Sequence, residues 1–116
     1  MTRFTLTVPL QDNNGAFRQD YVRVAEQVIG ERFDGWTRHH AIGEWKGQQD
    51  GETYTVREPV AVYTIDAENH QDTDAAWLIG VAQSLAVYCE QDAVYLTAQP
   101  VTTYLVGPAK VPEWQG

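Results

Sequence analysis

Residues 36–66, WTRHHAIGEWKGQQDGETYTVREPVAVYTID, decide the fold because they predict two strands joined by a hairpin loop. The segment 36–45 has tryptophan at both ends and contains no proline, which is typical of a strand. The polar loop after it contains Asp50 and Gly51, a pair that supplies the positive φ angles of a tight turn. Pro59 indicates an edge, a bulge or the start of the second strand. The centre of the chain therefore predicts a hairpin.

A helix and a further strand are predicted on each side of this hairpin. Residues 3–10 alternate between apolar and polar, as a strand with one buried side does. The segment 16–33 has apolar residues at spacings of three and four, which predicts an amphipathic helix. The segment 67–91 predicts a second helix, with small residues that allow close packing on a sheet. Residues 93–98 predict a strand, and residues 101–107 predict a short additional one.

This order of elements predicts an α+β fold of the ferredoxin-like type. In such a two-layer sandwich, βαββαβ connections build an antiparallel sheet, and two helices cover one face because crossover connections are right-handed. The short extra strand is expected at the C-terminal end. We expect a single ferredoxin-like domain over residues 1–107 and a C-terminal tail over residues 108–116, which contains two prolines.

Charge and composition exclude several functional classes. The chain of 116 residues has 16 acidic and 8 basic side chains, a net charge of −8, which repels nucleic-acid backbones and anionic membranes. The N-terminal residues predict neither a signal peptide nor a membrane span. The single cysteine, Cys89, allows no intramolecular disulfide and is expected to be buried. We therefore expect a cytoplasmic protein, in the host cytoplasm if a phage encodes it, with no nucleic-acid or membrane partner.

The alternation of side chains along 36–45 separates this strand into two sides. Adjacent histidines point to opposite faces of a strand, so His39 and His40 cannot bind one metal ion without a break. We predict no metal site and no cofactor. The residues expected on one side are Thr37, His39, Ala41, Gly43 and Trp45, and on the other Trp36, Arg38, His40, Ile42 and Glu44.

The side of the sheet away from the helices is expected to form an exposed aromatic surface. If Ile42 faces the helices with Leu6, Val60 and Val62, the opposite side collects Thr5, Thr7, His39, Trp45, Ala61, Tyr63 and Tyr95. Such surfaces usually mark a partner or ligand. Homodimerisation, cover by the tail with Trp114, and stacking of a planar small molecule are all compatible with it. The predicted binding residues are His39, Trp45, Tyr63, Trp36, Arg38, His40 and Tyr95.

A resemblance adds to this interpretation. The matching positions are Phe33, Gly35, Trp36, Thr37, Gly43, Trp45, Glu58, Pro59, Val60, Val62 and Tyr63. Their pattern, Gly-Trp-Thr, then Gly-x-Trp, then Glu-Pro-Val-x-Val-Tyr, resembles a group of small proteins from bacteriophages and actinobacteria. The resemblance implies a compact α+β unit and a phage accessory role, and it supplies no catalytic residue.

Three functional hypotheses follow. The first is a non-enzymatic binding protein, a homodimer, with a phage accessory or anti-defence role, which binds a protein partner or sequesters a small ligand. The second is a small dimeric enzyme in which His39 or His40 acts as a general base. The third is a structural or assembly protein of a virion. The enzyme hypothesis is the less favoured, because no serine or cysteine is spaced to form a catalytic triad.

Overall fold

A computed structural model describes residues 1–68 and 71–108 and confirms the α+β fold. The elements are β1 (Thr2–Pro9), α1 (Gln19–Gly30), β2 (Thr37–Gln49), β3 (Glu52–Ala67), α2 (Gln71–Tyr88) and β4 (Tyr95–Pro100). All strand pairs are antiparallel, and the strands lie in the order β2-β3-β1-β4. Both helices contribute to one buried cluster on the same side of this sheet. The element order and the sheet order are those of the predicted ferredoxin-like sandwich.

The hydrophobic core lies between the sheet and the helices. In β1, alternate residues Phe4 and Leu6 are fully buried, and they pair with Ile65 and Tyr63 of β3. Burying a side chain of this size stabilises the fold by about 1.5–3 kcal/mol. The helices complete the core with Tyr21, Ala25 and Ile29 from α1, with Leu78, Val81 and Leu85 from α2, and with Cys89 directly after α2. Cys89 is buried, as predicted.

The predicted facing of β3 is wrong. Ala61 and Tyr63 are fully buried under the helices, whereas they were expected on the uncovered side. Directly paired residues of an antiparallel sheet point to the same side, and Tyr63 pairs with the core residue Leu6. Val60 and Val62 consequently lie on the opposite side. We call that opposite side the open face, because no helix of the described chain packs on it.

The hairpin is longer and its turn tighter than the sequence predicts. β2 and β3 pair up to Gln49 and Glu52, and the turn consists of Asp50 (φ 53°) and Gly51 (φ 78°). Two consecutive positive φ angles favour a two-residue turn of the kind that continues strand twist. The pairing of β1 with β3 ends opposite Val60. Residues 42–59 therefore project beyond β1 as a two-stranded extension, which we call the ribbon.

The predicted extra strand at the C-terminal end is wrong. In the described residues 101–108 there is no strand, although the amide of Val101 donates to the carbonyl of Met1 at 3.0 Å. The predicted strand thus lies beyond Thr2 and Pro100, the last paired residues of β1 and β4. Trp114 and the rest of the tail from residue 109 lie outside the described residues. The domain boundary at 107 stays a prediction.

Candidate functional site: a groove beside the first helix and an open sheet face

A groove of about 460 Å³ lies between α1 and β2 on the helix side of the sheet. The groove forms because β2 is an edge strand. Its residues on the helix side of the sheet, beginning with Arg38 and His40, are exposed to solvent. α1 contributes one side through neighbouring positions on its surface, and β2 contributes the other through alternate positions. The lining residues are Phe17, Gln19, Val22, Arg23, Glu26, Arg38 and His40.

A hydrogen-bonded network lies at the base of this groove. The carboxylate of Glu26 accepts a hydrogen bond from the guanidinium of Arg38 and a second, of 3.1 Å, from the hydroxyl of Tyr63. Burial of the ring, followed by the negative charge of Glu26, raises the pKa of Tyr63 well above its usual range. The hydrogen bond to Glu26 likewise raises the pKa of Arg38. Tyr63 therefore stays protonated as a donor, and Arg38 stays positively charged.

The groove is locally basic in an acidic protein. The lining residues include two arginines, Arg23 and Arg38, and one carboxylate, that of Glu26. Their summed charge is therefore +1, in a chain of net charge −8. Arg23 forms no ion pair with any residue described. Phe17, which is 55 % exposed, and Val22 add an apolar wall. An apolar wall with a few polar groups is typical of small-molecule sites, and arginine suits carboxylate and phosphate groups.

The open face carries a different set of side chains. Strand pairing places Thr5, Thr7, His39, Trp45 and Tyr95 there, as the sequence predicts. Tyr95 is 77 % exposed and Trp45 is 45 % exposed.

Two glycines on the open side of β2 leave room for aromatic rings. A Cβ atom at Gly43 would lie 3.4 Å from a methyl group of Val60 and 3.9 Å from the ring of Trp45. A Cβ atom at Gly47 would overlap the ring of Tyr54. The rings of Trp45 and Tyr54 therefore lie close to the backbone of the ribbon.

The seven predicted binding residues separate into two surfaces. Arg38 and His40 line the groove and Tyr63 lies beneath it, whereas His39, Trp45 and Tyr95 belong to the open face. Trp36 contacts Gly30 at the end of α1 and packs against the core. His39 and His40 point to opposite sides, as predicted. The binding roles of all seven residues stay predictions.

Sequence reasoning missed the contribution of α1 to the groove. Phe17, Arg23 and Glu26 fall within the helix predicted over 16–33, and none of them is among the predicted binding residues. In the structure Phe17 precedes α1 and all three line the groove. The spacing of three residues places Arg23 and Glu26 on the same side of α1. Which strand that side meets depends on sheet order, which lies beyond a local pattern.

Two other ion-pair clusters join loops to helices. Arg18 binds the carboxylate of Asp20 through two hydrogen bonds of 2.8 Å, and the hydroxyl of Tyr88 donates to Asp20 at 2.8 Å. These hydrogen bonds, with that of Arg18 the larger influence, lower the pKa of Asp20. Arg32 pairs with Asp74 at 2.7 Å. Both clusters satisfy their charges internally, so they connect elements of the fold and leave little for a ligand.

The described residues contain neither a cluster of metal-binding side chains nor a helix that could span a membrane. The part of the chain that is described contains no group of three or more His, Cys, Asp or Glu side chains arranged to hold a metal ion. Over the same residues, no helix is both long and apolar enough to cross a bilayer.

Comparison with known proteins shows the fold alone. No protein-family model and no curated protein sequence matches the chain. A phage SAM lyase in complex with S-methyl-5'-thioadenosine has a similar structure, with a TM-score of 0.64, 16 % identity, and coverage of 84 % of this chain and 79 % of the lyase.

Two more structures are similar. The apo state of a phage SAM lyase has a TM-score of 0.54 and 15 % identity, and the similarity covers 84 % of this chain and 78 % of that one. A Bacillus cereus protein related to NIF3 has a TM-score of 0.53 and 13 % identity. The similarity covers 88 % of this chain and 26 % of that protein. Similar folds therefore occur in phage proteins.

Proposed function

We propose that this chain is a small-molecule-binding protein whose ligand lies in the groove between α1 and β2. The observation that carries the proposal is the combination of an apolar wall, Phe17 and Val22, with two arginines against one carboxylate. The ligand is a small planar molecule with an anionic substituent. Its planar part packs on Phe17, and its anionic group binds Arg23, which forms no ion pair with a described residue.

The network below the groove fits binding better than catalysis. Arg38 is oriented by Glu26, which in turn is held by the buried hydroxyl of Tyr63. A guanidinium has five N–H donors, so Arg38 can bind a ligand while it keeps its bond to Glu26. The groove is open to solvent, and His40 is exposed in it. Acid–base catalysis depends on groups in a protected, water-poor site, which this groove is not.

The fold likeness suggests a class of ligand for the proposal. The phage SAM lyase of similar fold binds S-methyl-5'-thioadenosine, a nucleoside with a planar base. We therefore propose a nucleoside that carries a phosphate or carboxylate, and a phage accessory protein that acts by sequestering it. An anti-defence role would follow if the sequestered molecule is a signal or cofactor of the host.

Isothermal titration calorimetry with three probes tests this proposal. S-methyl-5'-thioadenosine has no anionic group, S-adenosylmethionine has a carboxylate, and adenosine monophosphate has a phosphate. At neutral pH S-adenosylmethionine is a net cation, because its sulfonium and ammonium groups outnumber its carboxylate, so we expect adenosine monophosphate, the anionic probe, to bind most tightly. Arg23→Gln should weaken the binding of adenosine monophosphate about tenfold, which corresponds to about 1.4 kcal/mol. Phe17→Ala should weaken all three.

The matched control is Arg57→Gln. Arg57 is an exposed arginine of the ribbon, outside the groove, so its loss changes the net charge equally and leaves the groove intact. Equal losses for Arg23→Gln and Arg57→Gln would mean that binding depends on overall charge. Absence of binding for all three probes would contradict the nucleoside proposal.

A second candidate function is an enzyme that acts on S-adenosylmethionine. The observation in its favour is the likeness to a phage SAM lyase over 79 % of that protein. His40 is the histidine that lines the groove, and it is the candidate acid–base group. Mass spectrometry of S-adenosylmethionine incubated with the protein would detect S-methyl-5'-thioadenosine, and His40→Gln should slow its release while His39→Gln should not. Unchanged substrate favours the binding protein. The virion hypothesis stays a prediction.

A further inference from the structure

The ribbon lacks the support that the rest of the sheet has. β1 pairs with β3 only as far as Val60, and the amide of Leu10, directly after β1, donates to the carbonyl of Pro59 at 3.1 Å, so among the described residues no third strand lies beside 42–58. Isolated two-stranded hairpins are marginally stable in water. The ribbon nevertheless exposes large apolar side chains on both sides, with Ile42 62 %, Trp45 45 % and Tyr54 46 % exposed. A ribbon of this kind is stabilised when another surface packs on it.

Apolar side chains form a continuous strip on the open face, from the ribbon into the sheet body. The pairs Gly47–Tyr54 and Trp45–Val56 place two aromatic rings and a valine on this side. Beyond Gly43 the strip continues through further valines of β3 that pair with β1 and β2. The open-face strip thus consists of Tyr54, Trp45, Val56 and Val62, together with Val60, which is already buried within the chain at 6 % exposure.

The open face carries little net charge, which allows two copies of this acidic chain to approach each other there. A chain of net charge −8 repels its own copies wherever acidic groups meet. On the open face, Arg3 and Asp66 neutralise each other at 2.8 Å. Glu58 is the acidic residue on the open side of β3 between Tyr54 and Asp66. Burial raises the pKa of its carboxyl group. The other polar positions are mainly threonines, namely Thr5, Thr7, Thr37, Thr64 and Thr97.

The size of the open face matches one side of a stable dimer interface. With about 3.3 Å per residue and about 4.8 Å between strands, the four-stranded body measures about 26 by 19 Å, or about 500 Å². The ribbon adds a surface of about 30 by 10 Å, or about 300 Å². The sum of about 800 Å² equals the area that each partner contributes to an interface of standard size.

We propose that a second copy of this chain covers the open face, and that each ribbon lies across the sheet of the other copy. The two sheets pack face to face around a two-fold axis, which is the commonest symmetry of soluble oligomers. Trp45 is the central contact, because it is aromatic, half-exposed, and lies between the ribbon tip and the sheet body. The groove beside α1 stays accessible in this dimer, because it lies on the helix side of the sheet.

Light scattering coupled to size-exclusion chromatography over a concentration series tests the proposal. We expect the unmodified chain to have twice its mass of 13.1 kDa and Trp45→Glu to have the monomer mass. The matched control is Ile42→Glu. Ile42 belongs to the same ribbon and is more exposed than Trp45, but it lies on the helix side, so this variant should remain a dimer.

Thr7→Lys provides a second test if Trp45→Glu does not fold, as judged by circular dichroism. Thr7 lies in the sheet body on the open face, where it pairs with Val62 and Tyr95. A half-exposed lysine is tolerated in a monomer, but in the proposed dimer its charge would be buried beneath the ribbon of the other copy. A dimer that dissociates in this variant supports the proposal.

Three results would overturn it. These are a monomer mass for the unmodified chain at every concentration, dimers that persist in both Trp45→Glu and Thr7→Lys, and a ring or lattice larger than a dimer. Ligand affinity of the groove, measured on the monomeric variant, is expected to be unchanged. The dimer and the ligand proposals can therefore fail separately.

Discussion

Leu6 and Thr7 are neighbours in β1, yet their side chains lie in opposite surroundings. Leu6 is fully buried against Tyr63 beneath the helices, whereas Thr7 is half-buried on the open face, where no described helix covers it. The helix side of the sheet contains the core and, at its edge, a groove with a charged network. The open face contains threonines and a strip of apolar side chains. One strand thus stabilises the core with one side and leaves the other side partly exposed to solvent.

The largest expected effect comes from the covered side. Leu6→Ala should lower the free energy of unfolding by about 2–5 kcal/mol, because it leaves a cavity in a closed core. Thr7→Ala is the matched change on the open face and should change it by less than about 0.5 kcal/mol in the monomer. Urea denaturation of both variants measures this difference. Similar losses would mean that the side chains on the two sides of β1 are equally buried.

Accessibility of the thiol at the end of α2 tests the closure of the core. Burial raises the pKa of Cys89 from 9.0 to about 11, which lowers its thiolate fraction at neutral pH about 100-fold. Alkylation by iodoacetamide, followed by mass spectrometry, should therefore be slower in the native protein than in urea by at least that factor. Rapid native labelling would show that the helix layer opens readily.

The network below the groove should contribute less than the core. Tyr63→Phe removes a hydrogen bond to the carboxylate of Glu26, which keeps its bond to Arg38, so we expect a loss of about 1–2 kcal/mol. The raised pKa of Tyr63 makes its stabilisation complete below the ordinary value of 10.0, and rising pH removes it above that value. The difference between variant and parent in thermal unfolding should shrink in alkaline buffer. A constant difference would contradict the assigned burial of the phenol.

The smallest effect is expected on the ribbon. Arg57 and Glu44 pair on its helix side at 3.5 Å, with 70 % and 53 % of their side chains exposed. Exposed pairs of this kind contribute little, so Arg57→Ala should change the free energy of unfolding by less than about 0.5 kcal/mol. Chemical denaturation at low and high salt checks this value. A larger, salt-dependent loss would indicate that the ribbon contributes to the stability of the body.

The facing of β3 shows how far alternation alone can be used. Val60 and Val62 are as apolar as Ala61 and Tyr63, so this short stretch does not distinguish the two sides. The following residues do, because Ile65 is apolar and Asp66 is charged, and the structure buries Ile65. The prediction instead grouped Val60 and Val62 with Leu6 and Ile42, although Ile65 and Asp66 lie in the same predicted strand. Alternation decides a strand's facing only when it extends to residues of clear polarity.

The candidate groove was less accessible to sequence reasoning. Arg38 and His40 were identified on one side of β2, but their neighbours Phe17, Arg23 and Glu26 are far from them in the chain. No local pattern indicates that α1 lies beside β2. That contact follows from the sheet order β2-β3-β1-β4 and from the position of β2 at its edge.

The sequence by itself determined the succession of strands and helices, the buried cysteine and the opposite orientation of the two adjacent histidines. These features depend on periodicity and turn residues, which act over a few neighbours. Only the tertiary structure decided which side of β3 is buried and where β4 ends. It also brings the guanidinium of Arg38 and the hydroxyl of Tyr63 together at the carboxylate of Glu26. Those outcomes depend on strand register and on long-range pairing, whose energies arise between residues distant in the chain.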